Sequence, residues 1–392
     1  ACSYALDCVE AELVHVTTFH AKRVAYMSVC TAEQFGVSGE ALQDLAVCAL
    51  LHDNALTQYL HEEFRGDSSA AECLPELPHL CAHCVMGEEN ISALPFHTNV
   101  ENIILYHHEN ADGSGSFGKT WQEIPLGARI IRLCDLLDAF CRADVFTPDV
   151  WERANAFLTR VRGRIVDEEC ADAFLRAFSE QHFCSLGGRG LEERLWSKVP
   201  RTKQQLDFAQ VKALAKFFAK IVDYKSPFTS THSLGVADDA ECLARFMGFD
   251  EDTAQKMYLA GALHDIGKVA IGNEILEKPG RLTDSEYAEM KHHAAYTYYV
   301  LSEVQDFAEL RDWAAFHHEH LDGTGYPFGK NESELNTQER IMACVDIYQA
   351  LTENRPYKAG MSHEKACSIL LDMAEKGWLD RAIVEQVNAC FA

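Results

Sequence analysis

The chain has 392 residues, 47% of them hydrophobic and 24% charged, which is enough for two cores of ordinary size and excludes a disordered or fibrous protein. Its net charge of −25 excludes the basic footprint that binding to a nucleic-acid polymer requires. No apolar run approaches the roughly 20 residues of a membrane-spanning helix.

Read from the N-terminus, the opening ACSYALDCVEAELVH carries early acids and no basic leader, so a secretory signal is not expected. LQDLAVCALLHD, ending at Asp53, is predicted as a buried helix closing on His-Asp. Cys81 and Cys84 form a C-x-x-C pair, but no second such pair exists to complete a zinc knuckle. Many of the 15 cysteines, such as Cys48, Cys242, Cys344 and Cys367, sit in apolar helical patterns as small hydrophobes, which points to a reducing cytoplasm. HHENADGSGSFGK (107–119) carries a glycine-rich loop at 112–118, and RIIRLCDLLDAF (129–140) answers RIMACVDIYQAL (340–351).

LGGRG at 186–190, followed by Pro200, marks the expected boundary between domains 1–200 and 201–392. In QVKALAKFFAKIVDY (210–224) the apolar residues follow one face of a 3.6-residue period, and Lys225-Ser226-Pro227 should end that helix. QKMYLAGALHD again closes on His-Asp, at 264–265, and HHEHLDGTGYPFGK (317–330) carries a second glycine-rich loop at 322–329. No period-two alternation is long enough for a sheet. The expected fold is all-α.

The chain repeats itself. His20 answers His232, His52 answers His264, His83 answers His293, His107 answers His317 and Asp135 answers Asp346, at separations that stay between 210 and 212 residues. That constancy predicts a duplicated domain, two helical bundles in tandem.

In the second copy the anchors are His232, His264, Asp265, His293, His317, His318 and Asp346. Imidazoles and carboxylates without cysteine suit Fe, Mn, Ni or Zn. There are too many ligands for one tetrahedral ion, so two divalent ions sharing Asp265 as the bridge are expected. Such a pair supplies a nucleophile at neutral pH and stabilises both oxygens of an in-line displacement at phosphorus. Phosphoester hydrolysis follows.

HDIGK (264–268), HHEHLDGTGYP (317–327) and VDIYQALTENRPYK (345–358) resemble the signatures of the HD-GYP subgroup of HD-domain phosphohydrolases, over essentially all of 203–392. The resemblance implies tandem HD-domain-like bundles and a metal-dependent cyclic-dinucleotide phosphodiesterase, acting on cyclic di-GMP or 3′3′-cGAMP. It makes His232, His264, Asp265, His293, His317, His318 and Asp346 metal ligands, with Fe or Mn first and Ni, Zn or Mg as alternatives. Lys268 would face the scissile phosphate beside Asp265, and Tyr326, Arg355 and Lys358 would bind substrate. GGDEF-domain proteins are the protein partners it suggests for testing. Two departures stand out. Phe228 replaces the glutamate of trinuclear members, which argues for two ions. Ala294 replaces the usual proline, leaving His292 as a competitor of His293, which the repeat spacing favours.

The first copy keeps His20, His52, Asp53, His83, His107, His108 and Asp135. It has Leu56 where the lysine stands, no tyrosine in the loop, and Asp144 and Thr147 for the later Arg and Lys. Charge-assisted hydrogen bonds contribute about 1.5–3 kcal/mol each, so binding a doubly charged substrate there is not expected. The retained ligands fit a structural metal centre or hydrogen-bonded polar remnants equally well. The tandem arrangement resembles phosphodiesterases acting on 3′3′-cGAMP, and the first domain is expected to modulate the second. Two other readings are a hydrolase of another nucleotide and a non-catalytic adaptor binding a cyclic dinucleotide or a GGDEF domain.

Overall fold

The computed structural model describes residues 19–59, 81–141, 145–187, 190–200, 202, 204–224, 232–276, 278, 280–304, 307–354 and 359–392, with the side chain of Asn273 set aside. Among them the chain is all-α. Extended pairing is limited to isolated bridges, Asp112 with Thr120, Arg162 with Val166 and Asp322 with Asn331. The chain divides into two compact units, Cys2–Leu206 and Asp207–Ala392, a few residues beyond the boundary expected at Pro200.

In the first unit, α1 (His20–Glu33) is buried along almost its whole length. It packs against α2 (Gly39–Leu50). After α3 (Ala82–Ile91) comes α4 (Leu126–Cys141), which also lies on α1. Then come α5 (Pro148–Val161) and α6 (Glu168–Ala177), whose first turn is capped by the Asp167 carboxylate accepting from the Glu169 N–H. Burying a whole helix requires its charges to be paired. Arg23 Nε donates to Asp138 Oδ1 at 2.6 Å, and Lys22 Nζ meets Glu192 Oε2 at 2.9 Å.

In the second unit, α7 (Phe208–Tyr224) realises the apolar stripe read at 210–224. Lys225 to Pro227, expected to end it, lie outside the described residues. α8 (His232–Phe246) and α9 (Glu251–Leu263) form a tight pair joined through small residues such as Ala237, Ala240 and Ala260. His264 ends α9, and a 3-10 turn follows over Ile266–Ala270. That turn lies against α10 (His292–Ser302) so closely that a Cβ at Gly267 would strike the carbonyl of His293. α11 (Ala308–Ala315) leads into the glycine-rich loop. α12 (Thr337–Thr352) begins with a capping box, Asn336 with Glu339. α13 (His363–Glu375) and α14 (Arg381–Cys390) complete the unit.

Candidate metal centres

Helix ends deliver the ligands. His264 ends α9, His293 opens α10, His317 follows α11, His232 opens α8, and Asp346 projects from the middle of α12. All five side chains are buried, as is Asp265. Three of the rings share one brace: His264 Nδ1 donates to Gly261 O, His293 Nδ1 to Met290 O and His317 Nδ1 to Ala314 O, each at 2.7 Å. A carbonyl three residues earlier therefore fixes the tautomer and turns each Nε2 lone pair inward.

The inward donor atoms form two outer groups, His232 with His264 and Asp346, and His293 with His317 and His318, and a third, His264 with Asp265 and His317, that joins them. Asp265 stands between them: Oδ2 lies 3.1 Å from His264 Nε2 and Oδ1 lies 3.4 Å from His293 Nε2. His232 Nε2 is 3.1 Å from Asp346 Oδ1.

These contacts test whether the residues fit a metal. His293 Nε2 and His317 Nε2 are 3.4 Å apart. Both rings already spend their proton on a helix carbonyl, so two lone pairs face each other with no hydrogen between them. His264 Nε2 is buried without a hydrogen bond, although Asp265 is beside it. Donor atoms held at such spacing around a shared point fit divalent cations.

The electrostatics agree for three of the rings. Burial, with the charge of His264, pushes His317 down to about 3, and burial also lowers His293 and His318. Neutral imidazoles are the form that binds metal. Burial opposes the charge on His264, but Asp265 and Asp346 raise it to about 9. Burial likewise disfavours the Asp265 carboxylate, yet His264 and Lys268 hold it well below the ordinary range.

Lys268 lies on the 3-10 turn with Nζ 2.5 Å from Asp265 Oδ2. Tyr326 lies against the ligand rings, tilted to His318 at 4.7 Å and edge-on to His293 at 6.3 Å between centroids. Burial raises the Tyr326 hydroxyl, which keeps it a hydrogen-bond donor. His292 is exposed and pairs with Glu289 at 3.2 Å, away from the cluster. Arg355, Lys358 and Phe228 lie outside the described residues.

The first unit repeats the design. His20, His52 and Asp135 form one group and His83, His107 and His108 fall in another. Asp53 divides its oxygens in the same way, Oδ2 3.4 Å from His52 Nε2 and Oδ1 3.4 Å from both His83 Nε2 and His107 Nε2. His52 and His107 use the same braces, to Ala49 O and Ile104 O. Leu56 is buried at the lysine position, and Asp144 lies outside the described residues. Thr147 precedes α5 as its N-cap residue.

Several contributors escaped the sequence reading. Glu319 accepts from the N–H groups of Phe328 and Lys330 at 2.7 and 2.9 Å, buckling the loop that carries Tyr326. Glu109 does the same for Phe117 and Lys119. A Cβ at Gly325 would strike the backbone at Glu319 and His320, so this crossing requires glycine. Asp138 accepts from His20 Nδ1 at 2.7 Å, orienting that ring. At the mouth of the second site Lys291 Nζ lies 4.8 Å from the Tyr287 ring and 5.6 Å from that of Tyr326. Cys84 joins the His83, His107 and His108 group. Of these, only the glutamate shared by HHE at 107–109 and 317–319 left a visible trace in the repeat.

A tandem all-α protein with a carboxylate between two histidine-rich groups in each unit belongs to a recognisable class, the metal-binding helical hydrolases built on a His-Asp pair. The chain belongs to the HD domain family, whose model matches residues 7–167 and 216–383. It is 29% identical to the 3′3′-cGAMP-specific phosphodiesterase 1 of Vibrio cholerae over 98% of this chain and 88% of that protein. It is 33% identical to phosphodiesterase 3 of the same organism and specificity, over 73% of this chain and 62% of the relative. Its fold is also that of a crystallised cyclic GMP-AMP-specific phosphodiesterase of V. cholerae, with a TM-score of 0.64 and 24% identity over 99% of this chain and 97% of that one. No helix among the described residues is long and apolar enough to cross a membrane.

Proposed function

We propose that the chain hydrolyses a cyclic dinucleotide, 3′3′-cGAMP in the first instance, at a two-metal site in Asp207–Ala392. The observation that carries the reading is the division of Asp265 between two groups of inward-facing histidines, with Lys268 on the same carboxylate. The names of the relatives support the substrate class. The ligands would be His232, His264, Asp265, His293, His317, His318 and Asp346. Bound ions supply a nucleophile at neutral pH and charge neutralisation for in-line displacement at phosphorus.

The chain's own groups do the rest. Lys268, anchored by one N–H on Asp265, has two more to offer the phosphate and can pass a proton to the departing ribose oxygen. One ester bond opens as water adds, leaving a linear dinucleotide. Tyr326 supplies a neutral phenol donor, and the Tyr287 and Tyr326 rings flanking Lys291 offer a face for a base and a cation for the second phosphate. Arg355 and Lys358 carry over by resemblance as further phosphate contacts. The first unit, with Leu56 for the lysine and no loop tyrosine, modulates the second rather than turning over substrate. GGDEF-domain proteins would be its candidate protein partners.

Turnover by Mn- or Fe-loaded full-length protein, assayed without oxygen on 3′3′-cGAMP and cyclic di-GMP with product identification, tests this. A linear dinucleotide from 3′3′-cGAMP is expected. Cyclic di-GMP alone being cleaved would reverse the substrate assignment, and cleavage of neither by metal-replete protein would remove the enzymatic reading.

A further inference from the structure

The first unit holds a donor that its counterpart lacks. Cys84 follows His83 on α3, at the place where α10 carries Ala294. Its Sγ lies 3.6 Å from His83 Nε2 and within 4.8 Å of the ligand atoms of His107 and His108. Asp53 Oδ1 is 3.4 Å from both His83 Nε2 and His107 Nε2. His107 gives its Nδ1 proton to Ile104 O at 2.6 Å, so its Nε2 presents a lone pair. That Nε2 and Asp53 Oδ1 are both buried, and neither makes a hydrogen bond.

The spacing has a quantitative meaning. A tetrahedral zinc ion with bonds of about 2.0–2.1 Å to N and O and about 2.3 Å to S sets N···O edges of about 3.3 Å and an N···S edge of about 3.6 Å. Three edges match those values: Asp53 Oδ1 to His83 Nε2 and to His107 Nε2, each 3.4 Å, and Cys84 Sγ to His83 Nε2, 3.6 Å. His108 is near the same point but is otherwise engaged: Arg132 Nη1 donates to its Nδ1 at 3.1 Å, while Nη2 donates to Asn110 Oδ1 at 3.0 Å. A neutral ring accepting at Nδ1 carries its proton on Nε2 and has no second lone pair to give. The second unit has Ala343 where Arg132 stands, three residues before the helix aspartate, so His318 meets no such donor from that position.

We propose that Asp53, His83, Cys84 and His107 form a closed tetrahedral site for a zinc-type divalent ion. Binding releases the Cys84 thiol proton to solvent and leaves a thiolate on the ion. Four protein donors fill the coordination sphere, so no position remains for water or phosphate, and the centre is structural rather than catalytic. The thiolate also separates the two units chemically: sulfur favours zinc in the first, whereas the nitrogen and oxygen donors of the second accept harder ions. This assignment is independent of whether the second unit is a phosphodiesterase.

The test uses the full-length protein, stripped of metal and refilled with Co(II). A sulfur-to-cobalt charge-transfer band in the near ultraviolet is expected in the wild type, in Asp265→Ala and in His108→Gln. It should vanish in Cys84→Ser and His107→Gln. Under a mild chelator the wild type should retain one zinc equivalent more than Cys84→Ser. A wild type without the band, a Cys84→Ser variant that keeps it, or its loss in His108→Gln would overturn the ligand set.

Discussion

The ammonium of Lys268 lies 2.5 Å from Oδ2 of Asp265, the same carboxylate oxygen that stands 3.1 Å from His264 Nε2. One carboxylate thus touches the cluster and positions the cation. Burial works against the Lys268 charge, but Asp265 holds its ammonium above the ordinary lysine range. Lys268→Ala should lower kcat by about 100-fold or more while metal content is unchanged, as measured by turnover and elemental analysis. Unchanged kcat would confine Lys268 to a structural ion pair.

Lys291 makes a separable prediction. Its ammonium lies 4.8 Å from the Tyr287 ring and 5.6 Å from the Tyr326 ring. Lys291→Ala and Tyr287→Ala should each raise KM by about 10-fold, the equivalent of about 1.4 kcal/mol of ground-state binding, with kcat nearly unchanged. A pure kcat effect would move these residues from binding substrate to the chemical step.

The loop that presents Tyr326 depends on Glu319. Replacing it with alanine removes the acceptor for two backbone N–H groups and leaves them to find water, at a cost of about 1–3 kcal/mol for each that stays buried. Glu319→Ala should therefore lower thermal stability and raise KM. Wild-type values in both measurements would contradict the buckle.

How far the sequence reached can be judged from these residues. The apolar stripe of 210–224 became α7, and the all-α expectation holds because no segment alternates with period two. The histidines and aspartates that the repeat aligned are brought together in each unit. The braces were invisible, because a ring bonded to the carbonyl three residues earlier depends on helix ends and involves no particular side chain. Cys84 was read only as half of a C-x-x-C pair, since two of the histidines grouped with it, His107 and His108, are distant in sequence. Lys291 and Tyr287 carry no motif and acquire meaning only from the position of Tyr326.

Proton and metal compete for the same atoms, which gives the metal-free protein a characteristic pH dependence. Burial lowers both His83 and His264, but neighbouring groups, Asp53 foremost for the first and Asp265 for the second, raise each to about 9. A histidine raised above its unfolded value of about 6.5 stabilises fully below that value and loses the contribution as pH climbs through about 9, at most about 3 kcal/mol per group. Chelated protein should therefore lose melting temperature between about pH 6.5 and about pH 9.5. Protein saturated with Mn or Zn should lose much less, because the ion replaces the proton. Parallel profiles with and without metal would contradict the shared occupancy.

The most direct test of the account compares Asp265→Ala with wild type in the full-length, Mn-loaded protein, with 3′3′-cGAMP as substrate and the linear dinucleotide as readout. The account predicts that wild type forms the product, and that Asp265→Ala, although folded, falls to background and loses metal from the second unit. Product formation by Asp265→Ala at the wild-type rate would contradict it.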